Sequence, residues 1–200
     1  MVRALVERVV RKPWGRRDLP HPFPEVGSGE EKIGEIWFED PKGPVGELLV
    51  KYLFTSEKLS VQVHPDDKTA KAAGYPRGKD EAWLVLQADA GAVIGLGLRA
   101  PVSRSELRAA ALDGSITELV DWRPVQSGDF FYSPAGTVHA LGQGLVVLEV
   151  QQNLDLTYRL FDYGRPRQLH LDEAIASCRP APWTETCLQT SLGVGRTLLA

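Results

Sequence analysis

The chain has 200 residues, 43% of them hydrophobic, enough for one domain with a sizeable core, and its 23 basic and 26 acidic residues leave a net charge of −3. These charges are mixed along the sequence without a basic run, which argues against nucleic acid and anionic membrane as partners. The N-terminal "MVRALVERVVRKPWGRRDL" breaks its apolar residues with Arg and Glu every few positions, and no apolar run approaches the roughly 20 residues of a membrane span, so a cytoplasmic protein is expected.

In chain order, the Pro- and Gly-rich "LPHPFPEVGSGEEK" at 19–32 reads as an N-terminal loop. Strands are then predicted at "KIGEIWFE", "GELLVKYLF", "KLSVQVH", "EAWLVLQAD", "AVIGLGL", "TELVDWRPV", "DFFYSP" and "GLVVLEVQQ". Three helices interrupt them: "DDKTAKAAG", "SRSELRAAALDG", with Ser103 as N-cap and Glu106 completing a capping box, and "HLDEAIAS". Short strands without alternating helices predict an all-β sandwich or barrel with a few short helices. One domain over 1–200 is expected, with an N-terminal segment and loop at 1–32, a β core carrying the site at 33–165, and a C-terminal helix and tail at 166–200. The two cysteines, Cys178 and Cys187, are expected as free thiols. The tail "APWTETCLQTSLGVGRTLLA" has the pattern of one more β segment or a docking segment.

In "LSVQVHPDD" at 59–67, strand alternation puts Ser60, Gln62 and His64 on one face and Leu59, Val61 and Val63 on the other. A lone strand histidine is more often a satisfied hydrogen-bonding residue than a ligand, so this stretch decides nothing alone. "GDFFYSPAGTVHALGQG" spaces Gly128, Pro134, Gly136 and His139 in a way that resembles the second cupin motif, with Gln143 at the closing position where that motif usually has Asn. There Gly and Pro fix a tight turn that delivers an imidazole to the mouth of a small barrel. "GKDEAWLVL" places Glu81 at the head of a strand with Lys79 and Trp83 in the same parity. Gln62, His64, Glu81 and His139 together make an N/O set for one divalent ion; it suits zinc, and manganese, iron, cobalt or nickel fit the same donors.

Six stretches in order, "KPWG", "IGEIW", "LSVQVHPDD", "GKDEAW", "PAGTVHALGQG" and "LEVQQNLDLTYRLFDY", resemble the type I mannose-6-phosphate isomerases, a zinc-dependent cupin family. The resemblance implies a double-stranded β-helix, or jelly roll, and interconversion of mannose 6-phosphate and fructose 6-phosphate through a cis-enediolate. It also implies metal ligation by Gln62, His64, Glu81 and His139, catalytic roles for Arg159 and Lys79, and substrate-phosphate binding by Ser60 and Lys51. Such chemistry needs a base, a stabiliser for the developing oxyanion and a grip on the phosphate. The chain departs from the family in "WGR" at 14–16, where "WGG" is usual, and in ending at residue 200, where members commonly continue into a second β domain. Isomerisation of another phosphosugar, or a metal-bearing sugar-phosphate sensor with little catalysis, remain alternatives. A homodimer is a further expectation, because small β-barrels often protect sheet edges by pairing.

Overall fold

A computed structural model describes residues 4–26, 30–43, 46–185 and 188–189. Its elements are β1 (Val6–Arg16), β2 (Ile33–Glu39), β3 (Leu48–Phe54), β4 (Val61–Val63), α1 (Asp67–Ala72), β5 (Glu81–Ala88), β6 (Val93–Leu98), α2 (Arg104–Asp113), α3 (Ile116–Leu119), β7 (Val120–Pro124), β8 (Asp129–Ser133), β9 (His139–Leu141), β10 (Leu145–Gln152), β11 (Tyr158–Phe161), α4 (Leu171–Ser177) and β12 (Leu188–Gln189). The described strands form two antiparallel sheets, ordered β1-β2-β3-β10-β5-β8-β12 and β11-β4-β9-β6-β7. Strand neighbours come from distant parts of the chain, with β10 between β3 and β5 and β9 between β4 and β6, the connectivity of a jelly roll.

Three apolar layers follow from the alternation of side chains. Between the sheets, Leu53, Trp83, Val85, Ile94, Leu96 and Val147 interdigitate. Outside the five-stranded sheet, Val61, Val63 and Leu160 pack against Leu107 and Ala111 of α2 and Ala174 of α4. Outside the larger sheet, Leu19 and Phe23 of the N-terminal loop cover Ile36, Phe54 and Val146. Since Val61 and Val63 turn outward to the helices, the alternate residues of β4 must face the space between the sheets.

Two elements differ from the sequence expectation. Residues 6–16, placed outside the β core, form β1, which pairs with β2 from Val6 opposite Glu39 to Val10 opposite Glu35. Most of β1 is exposed or half-buried, as suits an edge strand, so its sequence lacks the apolar alternation that reveals a buried one. The strand expected from Thr117 starts at Val120, because Gly114, in the left-handed conformation, ends α2 and a further helical turn buries Ile116 against the helical layer. The Ser103–Glu106 capping box is present as read. Of the tail, Leu188 and Gln189 pair with β8, whereas Cys187 lies outside the described residues; Cys178 is buried with a free thiol.

Leu160 carries the packing of β11 under α2 and α4 and is fully buried. Truncation to Ala leaves a cavity in that layer and is expected to cost about 2–5 kcal/mol, read as a lower urea midpoint at unchanged slope.

Candidate metal centre

The end of β4 is fixed by contacts that also place the other site residues. Pro65 has no N–H to continue a ladder, and Asp66 caps α1 by accepting from the Thr69 N–H at 2.7 Å. The Lys79 N–H donates to Pro65 O at 3.0 Å, the Gly78 N–H to Asp67 Oδ1 at 2.8 Å, and the Gly136 N–H to His64 O at 2.8 Å. Gly78 approaches so closely that a Cβ there would stand 2.5 Å from Asp67 N. One junction therefore ties together the strand of His64, the entry to Lys79 and Glu81, and the Pro134–Gly136 turn before His139.

Register completes the arrangement. In the smaller sheet, Gln62 lies opposite His139 on one side and Arg159 on the other. In the larger sheet, Glu81 heads β5 opposite Gln151, and Trp83 lies opposite Glu149. The two sheets thus bring His64, Glu81 and His139 together, one donor atom from each lying within 4.8 Å of the others, a group that can hold a metal ion. All three are about 2% exposed, so bulk water cannot satisfy them.

The polar atoms there fit an ion. His64 Nε2 stands 3.0 Å from Glu81 Oε1, and His139 Nε2 stands 3.5 Å from Glu81 Oε2, yet both ring nitrogens of His64 and Glu81 Oε2 make no hydrogen bond. Buried polar atoms without partners are rare, and one donor atom each from His64, Glu81 and His139 lying within 4.8 Å of one another suits a common partner. The Nδ1–H of His139 donates to Thr137 O at 2.9 Å, which leaves Nε2 as its lone-pair nitrogen. Burial pushes the His64 imidazole down to about 3 against the pull of Glu81, and likewise lowers His139. Burial opposes ionisation of Glu81, but the adjacent His64 and the Lys79 ammonium outweigh it and hold the carboxyl well below its usual range. Two neutral imidazoles and a carboxylate are the protonation states that metal binding requires.

Gln62 sits beside this group, with its Nε2 3.2 Å from His139 Nε2 and its Oε1 accepting from Ser60 Oγ at 3.0 Å. Turning the amide over exchanges the two atoms, presents oxygen to the His64–Glu81–His139 group and releases the Ser60 hydroxyl. Lys79 Nζ lies 3.3 Å from Glu81 Oε1. Ser60, Gln62, Lys79, Glu81, His139 and Arg159 all line one cavity of about 380 Å³ between the sheets.

Lys51 lines the same cavity in a different situation from the one expected. Its ammonium lies 2.9 Å from Glu149 Oε2 and 3.6 Å from Glu35 Oε2, and 4.7 Å over the Trp37 ring. Burial opposes the charge, but these carboxylates outweigh it and raise the lysine above its ordinary range. A phosphate at that point would meet two carboxylates, so the position disfavours direct phosphate contact; the Lys51 charge answers Glu149 and Glu35. Arg159 makes no ion pair among the described residues, since the nearby Asp162 accepts from Arg165 and Arg167.

Sequence reasoning did not single out Glu35, Glu149 or Arg167. Glu149 donates no pattern of its own but shares parity with the inward Val147 and Gln151, a charged residue on an otherwise buried face, and that parity was its one visible signal. Its partners follow from register, with Lys51 on one side and Trp83 on the other, whose Nε1–H donates to Glu149 Oε1 at 2.9 Å.

Two facing antiparallel sheets with an inward His–Glu–His group define a cupin-like β fold whose buried cluster can hold a metal ion. Comparison with known proteins narrows this. No family model matches the chain, but it is 44% identical over 144 residues to a mannose-6-phosphate isomerase of Streptococcus mutans, covering 69% of this chain and 45% of that protein. It is 40% identical over 156 residues to a mannose-6-phosphate isomerase of Bacillus subtilis, covering 72% and 49%. The crystal structure of a Bacillus subtilis mannose 6-phosphate isomerase superposes with a TM-score of 0.78 at 29% identity over 91% of this chain and 71% of that one. The chain is thus similar to mannose-6-phosphate isomerases, and it spans about half the length of the curated relatives it matches.

Glu81→Ala removes the anionic donor of the group; after dialysis against zinc, mass spectrometry is expected to find near-stoichiometric metal on the parent and little on the variant. Lys51→Ala strands two buried carboxylates, and a loss of about 3–5 kcal/mol in chemical unfolding is expected; a loss below about 1 kcal/mol, typical of exposed pairs, would contradict the ion-pair assignment.

Proposed function

We propose that the chain is a metal-dependent aldose–ketose isomerase that interconverts mannose 6-phosphate and fructose 6-phosphate through a cis-enediolate, acting in the cytoplasm. The observation that carries this is the placing of Lys79 beside the His64–Glu81–His139 group in a cavity that also holds an unpaired arginine. Similarity to the matched relatives, which are named for this activity, supports the same reading.

In this reading Gln62, His64, Glu81 and His139 hold one divalent ion. Zinc suits two imidazoles, a carboxylate and an amide oxygen; manganese, iron, cobalt and nickel are accommodated by the same set. When bound, the ion supplies Lewis acidity toward the sugar's C1 and C2 oxygens. Lys79, released as the free amine once Glu81 is engaged by an ion, would take the proton from C2 of the aldose and return it to C1 while the O2 hydroxyl proton passes to O1, and the reverse in the other direction. Arg159, free of ion pairs, donates to the oxyanion that develops on the enediolate. The Ser60 hydroxyl, which donates to Gln62 Oε1 in the structure, would be free to contribute a hydrogen bond to the substrate phosphate if the Gln62 amide turned over. Trp14, Trp37, Leu53 and Trp83 supply apolar wall to the same cavity. Homodimerisation is part of the proposal, supported by the outer edge of β1, which has no strand partner among the described residues.

A coupled assay tests the reading directly. The zinc-loaded protein is expected to convert fructose 6-phosphate to mannose 6-phosphate in preference to a panel of other phosphosugars, to lose activity with a chelator and to regain it with zinc. Lys79→Ala, with metal content retained, is expected to lower kcat by roughly 10²–10⁴. Absence of turnover by the metal-loaded parent would rule the function out.

A further inference from the structure

The cavity sorts its cations by what already holds them. Lys51 is taken by Glu149 and Glu35, Lys79 by Glu81, and Lys12 stands 3.4 Å from Glu35 Oε1. Two arginines, Arg159 and Arg167, line the same cavity, and neither is matched there by a carboxylate of the larger sheet.

Arg167 is held in a specific way. Its Nε donates to Asp162 Oδ2 and its Nη2 to Asp162 Oδ1, both at 2.6 Å, from a carboxylate that is only 2% exposed. A guanidinium has five N–H groups in one plane. The Nε–Nη2 edge is spent on Asp162, which leaves three N–H groups, of which one on Nη1 and one on Nη2 lie side by side on the Nη1–Nη2 edge. That edge is the fork that matches two oxygens of a phosphate. Arg165 shares Asp162, donating to Oδ1 at 3.1 Å, but its other end reaches Glu57 Oε2 at 3.0 Å and it does not line the cavity. One carboxylate thus serves two guanidiniums.

The chain is bent to achieve this. Directly after β11, Tyr163 (φ 54°) and Gly164 (φ 76°) adopt the left-handed conformation and fold residues 165–167 back over Asp162. That conformation is uncommon for a tyrosine and persists where the surroundings impose it, often at ligand sites. Arg159 and Arg167 lie near enough for burial and the like charge of Arg167 to depress the Arg159 guanidinium, a repulsion that an anion between them relieves. His170, which accepts from the Arg159 N–H at 3.3 Å, closes the same corner. Asp155 is the exposed acidic side chain on this wall.

We propose that Arg167, positioned by Asp162, is the residue that grips the phosphate group of the substrate and so selects phosphorylated sugars. This rests on the isomerase reading for the identity of the substrate, though not for the binding of phosphate itself. Asp162 acts as a positioning residue.

The test compares the zinc-loaded parent with Arg167→Gln and Arg167→Lys. For Arg167→Gln, the KM for fructose 6-phosphate and the inhibition constant for inorganic phosphate are both expected to rise tenfold or more, about 1.4 kcal/mol, with kcat within about threefold of the parent. Arg167→Lys keeps the charge but loses the fork, and an intermediate effect is expected; should the Gln variant fail to fold, the Lys variant carries the comparison. Unchanged KM and inhibition constant, or a fall in kcat with an unchanged inhibition constant, overturns the proposal. If the parent turns over no phosphosugar, the isomerase reading fails alone, and calorimetric titration with inorganic phosphate decides: binding lost in Arg167→Gln upholds the grip, whereas equal binding, or none by the parent, overturns it.

Discussion

A carboxylate sealed between two sheets governs this molecule. Glu81 is almost wholly buried and ionised, and a charge so removed from water is tolerated only where partners surround it. Those partners are drawn from three parts of the chain: His64 from the end of β4, His139 from the start of β9 and Lys79 from the entry to β5 itself. Their convergence requires the junction at Pro65, Gly78 and Gly136, where backbone hydrogen bonds fix all three segments. The metal-binding group is in this sense the compensation for one buried anion, and the strand ends are shaped around it.

The same logic extends along the larger sheet. Trp37, Lys51, Glu149 and Trp83 form a row of cross-strand neighbours running from β2 through β3 and β10 to β5. Lys51 touches Glu149, Glu149 accepts from Trp83, and Trp37 both lies under Lys51 and donates to Glu35. Burial and the neighbouring charge of Glu81 raise Glu149 while Lys51 opposes the rise. Lys51 and Glu149 therefore set a fixed field behind the cavity, in a setting where dipoles and charges are little screened. Such a field is oriented before any substrate arrives, which is the condition under which electrostatic stabilisation costs no reorganisation.

How much of this could be read from the sequence depends on the range of the interaction concerned. The working face of β4 was legible because alternation is local: Ser60, Gln62 and His64 are spaced by two, and the structure puts that face inward while Val61 and Val63 meet the helices. The capping box at Ser103 was legible for the same reason. β1 was not, since an edge strand exposed along most of its length needs no apolar period, and α3 was not, since a single helical turn has no period to show. The least legible features were pairings set by register between distant strands. Lys51 reads as a free cation in "LLVKYLF" until β10 is laid beside β3 and Glu149 falls opposite it. Arg167 likewise reads as one charge in a polar loop until Tyr163 and Gly164 turn the chain back onto Asp162.

Geometry in the smaller sheet links the two ends of the cavity. Arg159, Gln62 and His139 lie on adjacent strands in one row, so the backbones of Arg159 and His139 stand two strand spacings apart, about 10 Å. Gln62 occupies the middle of that row, its amide shared between Ser60 and His139. A side chain so placed couples the ends, because an oxygen turned toward the imidazoles is no longer available to Ser60, and a hydroxyl so freed becomes a donor to whatever lies over β4. Occupation of the His–Glu–His group and binding of an anionic ligand beside Ser60 would then favour one another through a single amide rotation. The coupling requires no movement of either sheet, only the two-fold torsion at the end of one glutamine.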